Sequence, residues 1–239
     1  TMDYGAADPD TMRCNGCAAK LPAHHLETAL SRAGLQTLGS APEDANPLPG
    51  SRAVSGQPLL QSVDGFPALI SDPWLNGRLT TLHACSDLWA CGVRVDSAQA
   101  IVTLPVLEAA EQQELLVQTL CGVRSVLEEQ QVQLIGGHTL ESRSEPPHCP
   151  SLGVQLSLCV NGRSAAPWSK GGIAHGDVLL LSRPLGTGVL FAAAMAGACQ
   201  PEALDTVLQN MSRSQHRLLD QLEPHHQAIH ACTDVTGFG

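Results

Sequence analysis

Short apolar segments with strand-like spacing alternate with longer helix-like segments along this chain, and this alternation restricts the folds that it can adopt. Residues 152–160 place an apolar side chain at every second position, which is typical of a strand with one buried face. Residues 108–130 repeat their apolar side chains at helical spacing instead. The pattern predicts an α+β fold with α/β-type alternation. Further strands are predicted at 59–63, 97–104, 132–135, 178–182 and 228–232, and further helices from Pro22 and at 73–90, 189–198 and 201–222.

Charge and apolar content narrow the class of protein. The 239 residues carry a formal net charge of −10 at pH 7, which argues against DNA or RNA as a partner. The sequence contains no run of about 18 apolar residues and no signal-peptide core near its start, so neither a transmembrane helix nor secretion is expected. Most of the nine cysteines lie within apolar segments, which favours reduced thiols in a cytoplasmic protein.

Two cysteines and a lysine form the first motif, at Cys14, Cys17 and Lys20. The thiolate is the reactive form of cysteine and a nearby ammonium group favours it, so Cys17 and Lys20 could act together on one substrate. The Cys14-x-x-Cys17 pair also fits half of a zinc site or a redox pair. An incidental pair of cysteines remains a fourth interpretation.

Four aspartates lie in a loop, at the ends of predicted strands or inside an apolar helix. Aspartate oxygens in such places suit Mg²⁺, which prefers hard oxygen ligands. Asp87 falls within an apolar helical segment, where a charge must be paired or coordinated. Helix caps and ordinary surface charges are the alternatives for each one taken alone. The four residues are Asp44, Asp64, Asp87 and Asp234.

Two glycine-containing segments each follow a predicted strand, at 136–139 and 184–188. Paired glycines allow backbone N–H groups to approach a phosphate or a base closely. Residues 184–188 also precede a predicted helix, whose N-terminus could hold an anion. Taken alone, each segment is more commonly explained by a plain tight turn.

The order of these motifs is more informative than any one of them. Together they resemble the selenophosphate synthetases (selenide, water dikinases), over nearly the whole chain from Cys14. Related enzymes of the aminoimidazole ribonucleotide (AIR) synthetase superfamily share the Asp and Gly residues but lack the Cys-x-x-Lys arm. The most specific parts are Cys17-x-x-Lys20 and the terminal Thr-Asp-Val-Thr-Gly-Phe-Gly at 233–239.

The resemblance implies a fold, a reaction and partners. The fold would be that of the AIR synthetase superfamily, with two domains, mixed sheets covered by helices on one side, and a truncated second domain. The reaction would make selenophosphate from selenide and ATP and release AMP and phosphate. Mg²⁺ would be required, with K⁺ a second candidate cation. A homodimer formed through the N-terminal domains and a fused flavoprotein domain are further expectations, whereas nucleic acid and membrane are not expected as partners.

The resemblance also assigns roles to individual residues. Cys17 would handle selenium, and Lys20 would stabilise negative charge on phosphate or selenide. The Mg²⁺ ligands would be Asp44, Asp87 and Asp234. The nucleotide contacts would come from Lys20, Asp64, Asp87, Gly136, Gly137, His138 and Thr139.

Three parts are expected along the chain on this basis. Residues 1–21, rich in Gly and Ala, would form a flexible catalytic arm. Residues 22–163 would form the N-terminal domain that binds ATP and Mg²⁺. Residues 164–239 would begin a C-terminal domain that is incomplete here, since both ends of the sequence look like cuts in a longer chain.

Two departures from the family pattern leave other functions open. His83 stands where the family usually has Asn, four residues before Asp87 and therefore on the same helix face. Residues 43–47 are polar where the family usually continues into an apolar strand. The alternatives are a non-catalytic selenium- or nucleotide-binding regulatory module, another ATP-dependent kinase of the superfamily, and a zinc or redox protein built on Cys14 and Cys17.

Overall fold

A computed structural model describes most of the chain and divides it into two compact units. The larger unit comprises Glu43–Ser182 and Leu208–Asp234, and it contains the sheet and the candidate site. The smaller unit comprises Thr1–Pro42, Arg183–Val207 and Val235–Gly239. The boundaries predicted from the sequence at residues 22 and 164 stay predictions. The described residues are 23–35, 43–51, 56–66, 68–142 and 153–236.

A mixed sheet forms the centre of the larger unit. Within the described residues its strands lie in the order β1-β2-β5-β3-β4, in which β3 and β4 run parallel and the other neighbours run antiparallel. The predicted strand at 97–104 is confirmed, and the predicted strand at 59–63 extends three residues further. In chain order the strands are β1 (Asn46–Pro47), β2 (Leu59–Phe66), β3 (Ser97–Leu104), β4 (Gln133–Glu141) and β5 (Gln155–Arg163).

The helices follow the predicted positions closely in the first two thirds of the chain. The helix predicted at 73–90 is confirmed. It begins there because Asp72 caps it by accepting from the Leu75 N–H at 2.8 Å, and because Pro73 suits a first helical turn. In the described residues the helices are α1 (Ala23–Arg32), α2 (Pro73–Ala90), α3 (Ala109–Glu129), α4 (Thr187–Met195), α5 (Pro201–Met211), α6 (Leu218–Leu222) and a 3-10 turn at Glu223–Ala228.

Helices α2 and α3 cover one face of the sheet. Alternate β3 residues such as Ala98 and Val102 are buried against them, whereas Ile101 on the opposite face is 51% exposed. Val63 of β2 is 66% exposed in the same way. The predicted arrangement, a mixed sheet with helices on one side, is therefore confirmed.

Close contact between the α2 and α3 backbones helps to bury 11 of the 18 residues of α2. A Cβ atom on Gly122 of α3 would lie 2.0 Å from the Trp74 carbonyl oxygen, and one on Gly77 of α2 would lie 2.3 Å from the Thr119 carbonyl oxygen. Any larger residue at either position would push the helices apart. The two glycines therefore allow α2 to pack closely against α3. This packing also sets the position of Asp87, which α2 carries.

Several predicted elements are wrong. Residues 178–182 and 228–232 form no strand, because an apolar run becomes a strand only where a partner strand accepts its hydrogen bonds, and here neither run is paired within the described residues. Val178, Leu179, Leu180 and Leu181 are instead 62–85% exposed.

The single helix predicted at 201–222 is also wrong, since α5 ends at Met211. The Ser212 hydroxyl donates to the Leu208 carbonyl at 2.7 Å, and the Ser214 hydroxyl bonds to His216 Nδ1 at 2.7 Å. Such local side-chain bonds compete with the helical backbone ladder.

No helix in the described ranges combines the length and the apolarity that crossing a bilayer requires.

Candidate metal and nucleotide site

Three carboxylates from distant parts of the chain meet in the larger unit. Asp44, Asp87 and Asp234 each offer an oxygen, and these atoms all lie within 4.8 Å of one another. All three side chains are partly buried. We call these three residues the carboxylate cluster.

Different elements position the three carboxylates. Asp44 directly precedes the buried Ala45 and strand β1, even though the segment is polar. Asp87 lies in the last turn of α2 and accepts from the Ser62 hydroxyl of β2. Asp234 accepts from the Ser86 hydroxyl at 2.7 Å. Helix α2 therefore supplies one carboxylate of the cluster, Asp87, and a hydrogen bond from the preceding residue to another.

The cluster carries more negative charge than its surroundings neutralise. Burial raises the pKa of Asp87 to about 7, against the opposing effect of the Ser62 hydroxyl. Repulsion from Asp234 and Asp64 adds to this rise in the pKa. A divalent cation among these oxygens would relieve the repulsion.

The donor set fits a hard divalent cation. The cluster offers carboxylate oxygens, which are the ligands that Mg²⁺ takes in proteins, usually together with water and phosphate oxygens. The predicted Mg²⁺ ligands are thus brought together in space. Their binding of a cation stays a prediction.

Asp64 lies beside the carboxylate cluster and contacts His83. The His83 Nε2 atom is 2.9 Å from Asp64 Oδ2, although the contact is not aligned as a hydrogen bond. The His83 ring stacks on Phe66 with centroids 4.2 Å apart and planes inclined by 3°. Asp64 also accepts from the Gly65 N–H at 2.7 Å, and it lies within β2 rather than at the strand end that the sequence predicted.

Gly136, Gly137, His138 and Thr139 lie in strand β4, not in the turn that the sequence predicted. Their pairing with β3 accounts for this, since Gly137 faces Ala100 and His138 faces Ile101. The first glycine follows an irregularity in the β3–β4 register. Contact of these residues with a nucleotide stays a prediction.

Sequence reasoning missed three residues next to the cluster. Glu43 accepts from the Ser169 hydroxyl at 2.6 Å and from the Lys170 backbone N–H at 3.0 Å, and the Lys170 Nζ atom lies 3.1 Å from Asp44 Oδ1. One signal was available, because Lys170 is one of only two lysines in the chain and stands before two glycines. Cys14, Cys17 and Lys20 lie outside the described residues, so their roles stay predictions.

Known proteins are similar to this chain in sequence and in fold. Residues 43–160 match the family described as AIR synthase related protein, N-terminal domain. A selenide, water dikinase of Pelobacter propionicus is 31% identical over 250 residues, which cover 96% of this chain and 64% of the relative. The chain therefore spans slightly less than two thirds of the length of that relative.

Two solved structures share the fold. AaThiL complexed with AMPPCP and TMP superposes with a TM-score of 0.63 at 17% identity, over 87% of this chain and 63% of that one. Thiamine monophosphate kinase from Aquifex aeolicus gives a TM-score of 0.62 at 16% identity, over 84% and 64%.

The sheet, its one-sided helical cover and these superpositions define an AIR synthase-like fold. Within that superfamily, the chain is similar in sequence to the selenide, water dikinases over 96% of its own length.

Proposed function

We propose that the complete protein makes selenophosphate in the cytoplasm from selenide, ATP and water, and releases AMP and orthophosphate. The observation that carries this proposal is the convergence of Asp44, Asp87 and Asp234 within 4.8 Å. These are the residues that the family motifs assign as Mg²⁺ ligands, and the chain is 31% identical to a selenide, water dikinase.

The cluster would hold the nucleotide through its cation. Bound Mg²⁺ would neutralise charge on the ATP phosphates and orient them. The Ser62 and Ser86 hydroxyls keep Asp87 and Asp234 turned toward the cluster. Asp64 and residues 136–139 would complete the nucleotide contacts, and K⁺ is a second candidate cation.

The arm would supply the selenium chemistry. Cys17 would orient selenide without forming a bond to it, because its thiol is a weak hydrogen-bond donor. Lys20 would balance the negative charge that develops as selenium bonds to phosphorus. Closure of the arm would exclude water from the selenium nucleophile.

The direct test is an anaerobic assay of the complete protein with ATP, Mg²⁺ and selenide, followed by ³¹P NMR. We expect selenophosphate and AMP from the wild type and neither product from Cys17→Ser. Cys121→Ser is the matched control, because Cys121 is an exposed cysteine on α3, and it should retain activity. Selenide-independent conversion of ATP to ADP would favour the kinase relatives instead.

One observation favours the non-catalytic alternative, namely the contact of His83 with Asp64. An imidazole here differs in shape and in hydrogen-bonding groups from the usual Asn of the family. If the wild type binds ATP without turnover and His83→Asn restores selenophosphate synthesis, the protein is a nucleotide-binding module that lost activity at this position.

We further propose that two copies pair through the open face of the sheet, where Val63, Ile101 and Leu140 are exposed. Exposed apolar faces of this kind often mark sites of protein–protein contact. Sedimentation equilibrium should give a dimer for the wild type and a monomer for Ile101→Glu. Val117→Glu, which changes an exposed valine on the helical side, should remain a dimer. A monomeric wild type would refute the pairing.

A further inference from the structure

One tripeptide, Trp168-Ser169-Lys170, is bonded to all three segments that carry the carboxylate cluster. The Trp168 N–H donates to the Cys91 carbonyl at 2.9 Å, at the end of the helix that carries Asp87. The Ser169 carbonyl accepts from the Cys232 N–H at 2.9 Å, two residues before Asp234. We call this tripeptide the brace.

The third connection of the brace runs to the residue before Asp44. The two carboxylate oxygens of Glu43 accept from the Ser169 hydroxyl and from the Lys170 N–H. These two hydrogen bonds, the hydroxyl one first, lower the pKa of Glu43. Glu43 therefore ties the segment that carries Asp44 to the brace through both of its carboxylate oxygens.

The side chain of Lys170 extends from the brace to the cluster itself. Its Nζ atom lies 3.1 Å from Asp44 Oδ1, the Asp44 side chain is only 10% exposed, and the Lys170 side chain is 33% exposed. An ammonium group is a compact charge on a flexible four-carbon stem, so it can change its partner without moving the backbone. The backbone of Lys170 stays fixed by Glu43 during such a change.

We propose that Lys170 is a nucleotide-binding residue that neutralises Asp44 in the cation-free site and pairs with phosphate oxygens once a metal–nucleotide complex occupies the cluster. This role rests on the proposed function and adds a phosphate ligand to it. A divalent cation bound to Asp44 repels an ammonium group this close to the same carboxylate, whereas the phosphates that accompany the cation attract it. Lysine binds phosphate well as a point charge.

The proposal predicts opposite effects on two ligands. Lys170→Met removes a positive charge that opposes a free divalent cation, so Mn²⁺ alone should bind more tightly, by about threefold. The same change removes an ammonium–phosphate contact, so Mn²⁺ with a non-hydrolysable ATP analogue should bind more weakly, by about tenfold or more. If the brace acted only by supporting the fold, the same change would weaken the binding of both ligands.

The experiment uses the complete protein without selenide, so turnover does not enter. Binding of free Mn²⁺ is measured by electron paramagnetic resonance, and binding of the Mn²⁺–analogue complex by calorimetry. Lys170→Arg retains the charge and should restore analogue affinity. Ser169→Ala removes the bond to Glu43 and should weaken free Mn²⁺ binding, which gives the pattern of a purely structural change.

Opposite shifts in Lys170→Met, with recovery in Lys170→Arg, would support the assignment. Parallel weakening, or no change in either affinity, would overturn it. A wild type that binds the Mn²⁺–analogue complex but makes no selenophosphate would count against the proposed function while leaving this comparison valid. A wild type that binds neither ligand would overturn both.

Discussion

Replacing Asp87 by Asn is expected to weaken divalent cation binding by about 100-fold or more while stabilising the cation-free protein. The loss of affinity follows because Asn supplies a neutral oxygen in place of a charged ligand, and even changes outside the ligand shell cost about 10–100-fold in other metal sites. The gain in stability follows because Asp87 is largely buried next to Asp234 and Asp64. A neutral amide removes that repulsion.

The effect on the stability of the cation-free protein, measured with a chelator present, depends on pH through the pKa of Asp87. The pKa of Asp87 is raised by burial to about 7 in the folded protein, from 3.8. The folded state therefore holds a proton that the unfolded state has released, and stability falls as pH rises from about 4 to about 7. Asp87→Asn should remove this decline and gain about 2 kcal/mol at pH 8, allowing for the partial exposure of the carboxyl group.

Calorimetric titration with Mg²⁺ and chemical unfolding in EDTA, both on the complete protein, measure the two effects. Asp205→Asn is the matched control, because it changes an exposed aspartate on helix α5 and should alter neither quantity. A variant that binds Mg²⁺ normally would remove Asp87 from the ligand set. A variant less stable than the wild type in EDTA at pH 8 would contradict the electrostatic account.

Gly122→Ala is expected to destabilise the protein by about 3 kcal/mol, although Ala is the better helix former by about 1 kcal/mol. The added Cβ atom would lie 2.0 Å from the Trp74 carbonyl oxygen and 2.8 Å from the Arg78 backbone nitrogen, so α2 must move away from α3. Since α2 carries Asp87, the displacement should also weaken Mn²⁺ binding.

Gly136→Ala is the matched control for this change. A Cβ atom there would meet only the end of the Gln99 side chain, at 3.7 Å, and the position is part of an extended strand. Urea unfolding should therefore separate the two variants clearly. Equal stability of Gly122→Ala and the wild type would show that the helices can part at little cost.

The sequence patterns predicted correctly those helices and strands whose ends and buried faces are set by neighbouring residues. Helix α2 has a capping aspartate and a proline at its start, and β3 alternates strictly, so both were predicted with correct bounds. The segment at 178–182 has an equally strong strand pattern and forms none, because pairing depends on a partner that a local pattern does not contain.

Only those residues of the candidate site that belong to the family motifs could be predicted from the sequence. The motifs assigned Asp44, Asp87 and Asp234, which lie together in the structure. They did not assign Ser169 or Lys170, whose bonds to Glu43 and Asp44 join residues 126 or 127 positions apart. The contact between His83 and Asp64 was missed for the same reason, since spacing along α2 relates His83 only to Asp87.

The wide separation of the three cluster residues along the chain also bears on how the protein is made. Asp44 and Asp87 leave the ribosome long before Asp234, and the cluster needs all three. A divalent cation can therefore stabilise the larger unit only after residue 234 has been synthesised and docked, because binding energy becomes folding energy only when the ligands have assembled. Until then, the hydrogen bonds of the sheet, the Asp72 cap of α2 and apolar packing must hold these elements in place without the cation.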